Sequence, residues 1–180
     1  MTPVKLDRER STLVVIDVQE AFRKAVPSFD DVARGAAALV RGAEATGVPI
    51  LVTEQYPEGL GRTVPEVAEA LPEGIEPIEK VCFSASEAED FDLGGRDQAL
   101  VCGLEAHVCV NQTAHDLIAQ GRQVHLLLDC VTSRTEQNRQ IGIEKMRLAG
   151  IIPCNVEMAL FELMGDAKHE QFKAVQRLIK

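Results

Sequence analysis

Short apolar segments alternate with segments of helical periodicity along almost the whole chain, and this alternation restricts the fold more than any other feature. The stronger apolar runs read "TLVVI", "PILVT", "ALVCG" and "VHLLL", and two weaker runs lie around Lys80 and at "IIPC". Continuous apolar runs of this length predict strands that are buried on both faces. Strands that alternate with helices predict a parallel sheet with helices on both sides. We therefore expect a doubly wound, mostly parallel α/β fold of about six strands, Rossmann-like in its layers.

The helical segments between these strands carry recognisable end signals. Gly47 and Gly121 stand where two helical patterns stop, and Ser133 or Thr135 is placed to cap the helix that follows the fifth strand. The tail from Val156 predicts one or two further helices. Because no linker, repeat or low-complexity segment interrupts the chain, we expect one domain over residues 1–180.

Composition narrows the classes of partner. The net charge of -9 offers no basic excess for nucleic-acid phosphates or an anionic membrane surface, so we expect neither partner. The cysteine count is five, which is odd, and no secretory signal is evident. These features favour a cytoplasmic protein with free thiols.

Polar residues follow several of the predicted strands. Parallel sheets bind ligands outside the carboxyl ends of their strands, so these residues are the candidates for a site. Asp17 follows the first strand, Lys80 ends the third, and Cys109 lies in the first turn of the helix after the fourth. An acid, an amine and a thiol are thus expected at one edge of the sheet.

These three residue types support nucleophilic chemistry. A thiol attacks as thiolate, and a helix N-terminus and a nearby lysine both stabilise that anion. A carboxylate within reach of the thiol can accept its proton and return it to a leaving group. Backbone N–H groups in the turn before the helix are suitable donors for an oxyanion.

Each residue also has an ordinary structural interpretation. Asp17 fits a turn or helix-cap residue, Lys80 a solvated surface lysine and Cys109 a small buried residue. The remaining four cysteines keep that last interpretation; they are Cys82, Cys102, Cys130 and Cys154. Any parallel sheet collects some polar residues at its carboxyl edge. The combination of Asp17, Lys80 and Cys109 therefore favours the functional interpretation only moderately.

The segments around these residues resemble the isochorismatase-like cysteine hydrolases, which include nicotinamidases and related amidohydrolases. The matching pieces are "LVVIDVQEAF", "IEKVCFSA", "VCGLEAHVCVNQTAHDLIAQG", "VHLLLDCVTSR" and "MRLAGIIPCNVEMALFELMGDA". They occur in the family's order over nearly the whole chain. The last segments most resemble a branch whose natural substrates are poorly defined.

The resemblance implies a role for each of the three residues. Asp17 matches the general base and acid, Lys80 the lysine that lowers the thiol pKa, and Cys109 the nucleophile. It also implies a cis peptide between Leu104 and Glu105, which would direct the N–H groups of Glu105 and Cys109 at an oxyanion. Glu105 replaces the small residue of many relatives, and its carboxylate would repel acidic substrates if it faced the pocket.

Four further residues are candidate walls of a substrate pocket, and simple packing is the alternative for each: Phe22, Tyr56, Phe83 and His107. Metal-binding nicotinamidases carry an Asp-x-His pair after the second strand, whereas this chain reads "VTEQYPEGLGRT" there, without a histidine. The four histidines have no zinc-like spacing. We therefore expect no metal and no other cofactor.

The resulting prediction is a cofactor-free hydrolase of a small-molecule amide that acts through a Cys109 thioester. True isochorismatases cleave a vinyl ether and lack the nucleophilic cysteine, so Cys109 favours a C–N bond. The alternatives are a redox-responsive thiol protein or a non-catalytic binding member of the same fold. A dinucleotide-binding oxidoreductase is disfavoured because no G-x-G-x-x-G follows the first strand. The family is commonly oligomeric, which predicts a homo-oligomer, and "VEMALFELM" is either an interface segment or ordinary core.

Overall fold

A six-stranded parallel sheet forms the centre of the computed structural model, which describes residues 5–179. Its strands are β1 (Ser11–Ile16), β2 (Ile50–Gln55), β3 (Ile78–Lys80), β4 (Gln98–Leu104), β5 (Gln123–Thr132) and β6 (Ile152–Cys154). They are ordered β3-β2-β1-β4-β5-β6, and every neighbouring pair is parallel. The doubly wound α/β fold expected from the sequence is confirmed.

Helices cover both faces of this sheet. They are α1 (Phe29–Thr46), α2 (Pro57–Leu60), α3 (Pro65–Ala68), α4 (Cys109–Ala119), α5 (Glu136–Leu148), α6 (Val156–Met164) and α7 (Phe172–Leu178). Helices α3, α6 and α7 pack on α1, whereas α4 packs on α5. Two apolar clusters result, one on each face of the sheet. Among residues 5–179, no helix is long and apolar enough to cross a membrane.

Local sequence signals explain several helix ends. Gly47 adopts a left-handed conformation directly after α1, as predicted for a stop. Of the two predicted caps for α5, Thr135 is the one used, and its side chain accepts a hydrogen bond from the Asn138 N–H. Most apolar residues of α6 are buried in the core, so "VEMALFELM" is chiefly a packing segment. The sequence did not predict the short helix α2.

The strand order reverses between β1 and β4, which are neighbours in the sheet although β2 and β3 intervene in the chain. Gly103 makes this approach possible: it has φ +126°, and a Cβ built there would lie 2.0 Å from the carbonyl oxygen of Ile16. Only glycine fits such a position. The carboxyl ends of β1 and β4 therefore form a crevice, which is where this class of sheet places ligands.

Candidate active site

Asp17 directly follows β1, and its carboxylate is held on both oxygens. The residue has φ +54°, so the chain turns sharply as it leaves the strand. Oδ1 accepts a hydrogen bond of 2.7 Å from the Thr53 hydroxyl, and Oδ2 lies 2.8 Å from Nζ of Lys80. The side chain is 2% exposed. Burial of a carboxylate requires this kind of pairing.

Lys80 is the last residue of β3, and its ammonium is completely buried. Besides Asp17, Nζ donates to Oε1 of Gln55 at 2.8 Å, and it lies 3.3 Å and 3.2 Å from the carbonyl oxygens of Cys82 and Phe83. The structure therefore rules out a solvated surface lysine. These contacts hold the cation in a single position beside Asp17.

Gln19 holds the segment that carries Gln55. Its side-chain oxygen accepts from the Gln55 N–H at 2.8 Å, while its amide nitrogen donates to the carbonyl oxygens of Gln55 at 3.0 Å and Gly61 at 2.7 Å. The end of β2 and the loop after it are thereby tied to the residues that follow β1. Gln19 thus positions Gln55, which in turn contacts Lys80.

Cys109 is the first residue of α4 and is 6% exposed. Burial raises the pKa of its thiol, and the negative charge of Asp17 raises it further, while the charge of Lys80 acts in the opposite direction. Lys80 thus acts in the predicted direction, but burial and Asp17 outweigh the lysine, and the pKa of the thiol is raised overall. In the resting state the residue is a thiol with a carboxylate nearby.

The turn between β4 and α4 differs from the expectation based on resemblance. The peptide between Leu104 and Glu105 is trans, and the chain turns instead through a left-handed Glu105 at φ +57°. A cis peptide bond that does not precede proline costs about 3 kcal/mol, and this turn contains no such bond. Within residues 5–179, the backbone N–H groups of Glu105 and Cys109 donate to no protein acceptor.

The Glu105 side chain is engaged by the segment that precedes α5. Its carboxylate accepts from the Arg134 N–H at 3.2 Å and from Nε of Arg134 at 3.1 Å. Nε2 of His107 lies 3.6 Å from the same carboxylate, and Nδ1 of His107 is 3.1 Å from the Ser133 hydroxyl. Arg134 compensates the charge of Glu105, so the carboxylate is an anchor for the turn.

Helix α5 also contacts this turn through a glycine. A Cβ built at Gly142 would lie 2.7 Å from the carbonyl oxygen of Ala106 and 2.9 Å from Cα of His107. No larger residue fits between the helix and the turn without a shift. The turn before Cys109 is thus braced by Gly142 and by the residues just before the helix.

The remaining candidate pocket residues lie in different environments. Phe22 packs against the larger apolar cluster, which agrees with its packing interpretation. Tyr56 and Phe83 are each 53% exposed, and both are joined to Lys80 through the backbone, since Lys80 accepts from the Tyr56 N–H and donates to the Phe83 carbonyl. The main-chain atoms of these two residues therefore lie next to Lys80.

Five contributors were not assigned a role from the sequence: Gln19, Thr53, Gln55, Arg134 and Gly142. Thr53 is a polar residue inside the apolar run of β2, two positions before Gln55. Its register partner in the sheet is Ile16, the residue before Asp17. The polar position was visible in the sequence, but its partner depended on strand order. Within residues 5–179, no group of three or more histidine, cysteine or acidic side chains is arranged to hold a metal ion.

Comparison of the sequence with known families gives one assignment. The family model of the isochorismatase domain matches residues 11–158. Isochorismatase domain-containing protein 2A of Mus musculus is 41% identical over 175 residues, which cover 96% of this chain and 84% of the mouse protein.

Solved structures show the same fold. The MAR1 ribonuclease of Caenorhabditis elegans has a TM-score of 0.91 and 35% identity, covering 97% of this chain and 92% of its own. The YcaC gene product of Escherichia coli, described as an octameric hydrolase of unknown specificity, has a TM-score of 0.89 and 23% identity, covering 99% and 91%. A pyrazinamidase/nicotinamidase from Streptococcus mutans has a TM-score of 0.69 and 18% identity, covering 80% and 99%.

Proposed function

This chain belongs to the isochorismatase family, and we propose that within it the protein is a cysteine-dependent hydrolase of a C–N bond in a small-molecule amide. The observation that carries the proposal is the buried pair of Asp17 and Lys80 beside Cys109 at the start of α4. An acid, a fixed cation and a thiol in one crevice have the functional groups that acyl transfer requires.

The first half of the proposed reaction forms a thioester. Asp17 accepts the Cys109 proton as Sγ attacks the amide carbon, and the carbonyl oxygen becomes an oxyanion. The free N–H groups of Glu105 and Cys109 are the donors for this oxyanion. Collapse of the intermediate breaks the C–N bond, and Asp17 transfers its proton to the leaving amine.

The second half consumes water. Asp17 takes a proton from the water as the water oxygen attacks the thioester carbon. The carbon–sulfur bond then breaks, and Asp17 returns the proton to Sγ of Cys109. The net change is amide plus water to carboxylic acid plus amine. Lys80 orients Asp17 throughout and stabilises the thiolate while it exists. Because the pKa of the resting thiol is raised, proton transfer to Asp17 accompanies attack instead of preceding it.

Two further features of the proposal concern the protein as a whole. The E. coli YcaC gene product is octameric, which supports a homo-oligomer here as well. Five free cysteines support a cytoplasmic location. The raised pKa of Cys109 disfavours the redox-responsive alternative, since oxidation starts from a thiolate.

A relative's name adds one more substrate to test. The C. elegans protein is described as a ribonuclease. The net charge of -9 in this chain gives little attraction for RNA, so we do not extend that activity to it.

The experiment is a substrate panel of small amides, RNA and a vinyl ether, measured with the wild type and two variants. Cys109→Ala should abolish amide turnover, while Cys154→Ala, a similarly buried cysteine in β6, should retain it. Acid quench followed by mass spectrometry should detect an acyl adduct on Cys109. Amide turnover that survives in Cys109→Ala, or hydrolysis of RNA or the vinyl ether alone, would overturn the proposal.

A further inference from the structure

Helix α5 presents a groove to solvent on the side away from the turn of residues 105–108, which precedes Cys109 and is named the nucleophile turn. The groove has a volume of about 700 Å³, and Leu128 of β5 forms one wall. Leu148 closes the groove at the end of the helix. We call the rest of its helical side the α5 surface, which consists of Glu136, Arg139, Gln140, Ile143, Glu144 and Arg147. Their spacing of three and four residues places them along one face of the helix.

The charges of the α5 surface are arranged so that the surface is complementary to itself. If a second α5 helix packs antiparallel on the first, with the two-fold axis between Ile141 and Gly142, Glu136 lies opposite Arg147 of the second helix. The same operation places Arg139 opposite Glu144. Each acid then meets a base, and every contact occurs twice, as a two-fold interface requires.

The central pair of the α5 surface fits the same operation. Gln140 meets Ile143 of the second helix, close to the axis, so no like charges face each other there. A parallel arrangement in register would instead place each charge opposite its own copy. The charge order therefore selects the antiparallel arrangement.

Two of these charges have no ion-pair partner in their own chain. Within residues 5–179, neither Glu144 nor Arg147 forms a salt bridge. The other two, Glu136 and Arg139, form an ion pair with each other at 3.2 Å. The Arg139 guanidinium also donates to two carbonyl oxygens of β5, those of Val131 at 2.9 Å and Leu128 at 2.5 Å. These contacts hold the base in place along the groove before any partner arrives.

An apolar surface continues from the groove. A second depression of about 590 Å³ shares Leu128 and Arg139 and adds Pro153 and Met158. Met158 is 48% exposed. Exposed ion pairs alone contribute little to association, so apolar area next to them is needed for a stable contact.

We propose that the α5 surface is a two-fold interface with a second copy of this chain, in which the two α5 helices pack antiparallel. This proposal is independent of the chemistry proposed for Cys109. The opposite side of α5 bears Gly142, which contacts the nucleophile turn. A partner on the α5 surface thus supports the helix that braces that turn.

Crosslinking of the full chain tests the geometry. Gln140→Cys lies close to the proposed axis, and its two copies would be about 5 Å apart along the helices. Gln137→Cys is equally a former glutamine and exposed on the same helix, but it is one turn farther from the axis, so its two copies would be about 14 Å apart along the helices. A short bismaleimide should join two Gln140→Cys chains into a covalent dimer. It should give at least tenfold less dimer with Gln137→Cys or with the wild type, which serves as the blank.

Charge reversal tests the pairing, with mass measured by light scattering over a range of concentrations. Arg147→Glu should raise the dimer dissociation constant at least tenfold, and the double variant Glu136→Arg/Arg147→Glu should recover most of that loss. Lys145→Glu makes the same charge change on the far side of α5 and should leave the constant within about twofold.

Three results would overturn the proposal. One is a wild-type chain that is monomeric at every concentration, which would leave the groove to another molecule. Another is equal effects of Arg147→Glu and Lys145→Glu. The third is a dimer that Gln137→Cys crosslinks as well as Gln140→Cys, since the interface would then lie elsewhere.

Discussion

Nζ of Lys80 lies 2.8 Å from Oδ2 of Asp17, and the two side chains are 0% and 2% exposed. Burial of two opposite charges is costly, and the loss of one partner typically destabilises a protein by about 3–5 kcal/mol. The pair is therefore weak as a source of stability but strong as a constraint on position. It places an ionisable oxygen and a cation at the crevice where β1 and β4 meet.

Asp17→Asn should separate the reactivity of the thiol from turnover. Because the charge of Asp17 raises the pKa of Cys109, its removal lowers that pKa and increases the thiolate fraction near pH 7. We expect faster alkylation of Cys109 by iodoacetamide, measured by peptide mass spectrometry between pH 6 and 9. Turnover should nevertheless fall by about 10²–10⁴-fold because the general base is gone. Slower alkylation would show that Asp17 does not interact with the thiol as described.

Thr53→Val removes the hydroxyl that donates to Oδ1 of Asp17, with little change in volume. An unsatisfied buried acceptor costs about 1–3 kcal/mol, so the free energy of unfolding should fall within that range. Turnover should fall about tenfold or more because Asp17 loses its orientation. Thr46→Val is the matched control: Thr46 is also buried, but its hydroxyl donates to carbonyls inside α1. Equal kcat/KM values for the two variants would contradict the positioning role of Thr53.

Gly142→Ala should disturb the nucleophile turn from the other side. Alanine favours a helix by up to about 1 kcal/mol over glycine, but its Cβ would meet the Ala106 carbonyl oxygen at 2.7 Å. Because that neighbour is backbone, the strain should exceed the gain, and we expect a net loss of about 1–2 kcal/mol. Urea unfolding measures this change, and Gln137→Ala on the exposed side of α5 is the control. A stabilised Gly142→Ala chain would show that the turn is free to move.

His125 should make the fold sensitive to mild acid. Burial lowers the pKa of His125 to about 4 in the folded protein, against an ordinary value of 6.5. The unfolded chain binds the proton more readily, so stability is fully present above about pH 6.5 and declines as the pH falls towards 4. Between pH 7 and 4.5 the wild type should lose about 2 kcal/mol more than His125→Gln, by urea unfolding. His169→Gln, at a partly exposed position, should follow the wild type.

Much of the fold was predictable because parallel strands and amphipathic helices have distinct local patterns. The apolar run at β1 and the stop at Gly47 both appear in the structure as the sequence indicated. The strand β5 is longer than its apolar run because it continues to Thr132, beside the end of β4. Its extension depends on a neighbouring strand, which local periodicity does not report.

The candidate site was likewise predictable only in part. Local patterns were enough to identify the chemical groups at the strand ends, since Asp17 and Lys80 follow or close apolar runs and Cys109 begins a helix. Three features emerged only from the packed fold: burial and Asp17 outweigh Lys80 at the thiol, Thr53 holds Asp17, and Arg134 compensates Glu105. This is because the pKa of a group and its hydrogen-bond partners depend on neighbours that strand order brings together from distant segments, whereas periodicity records only which residues of one segment share a face.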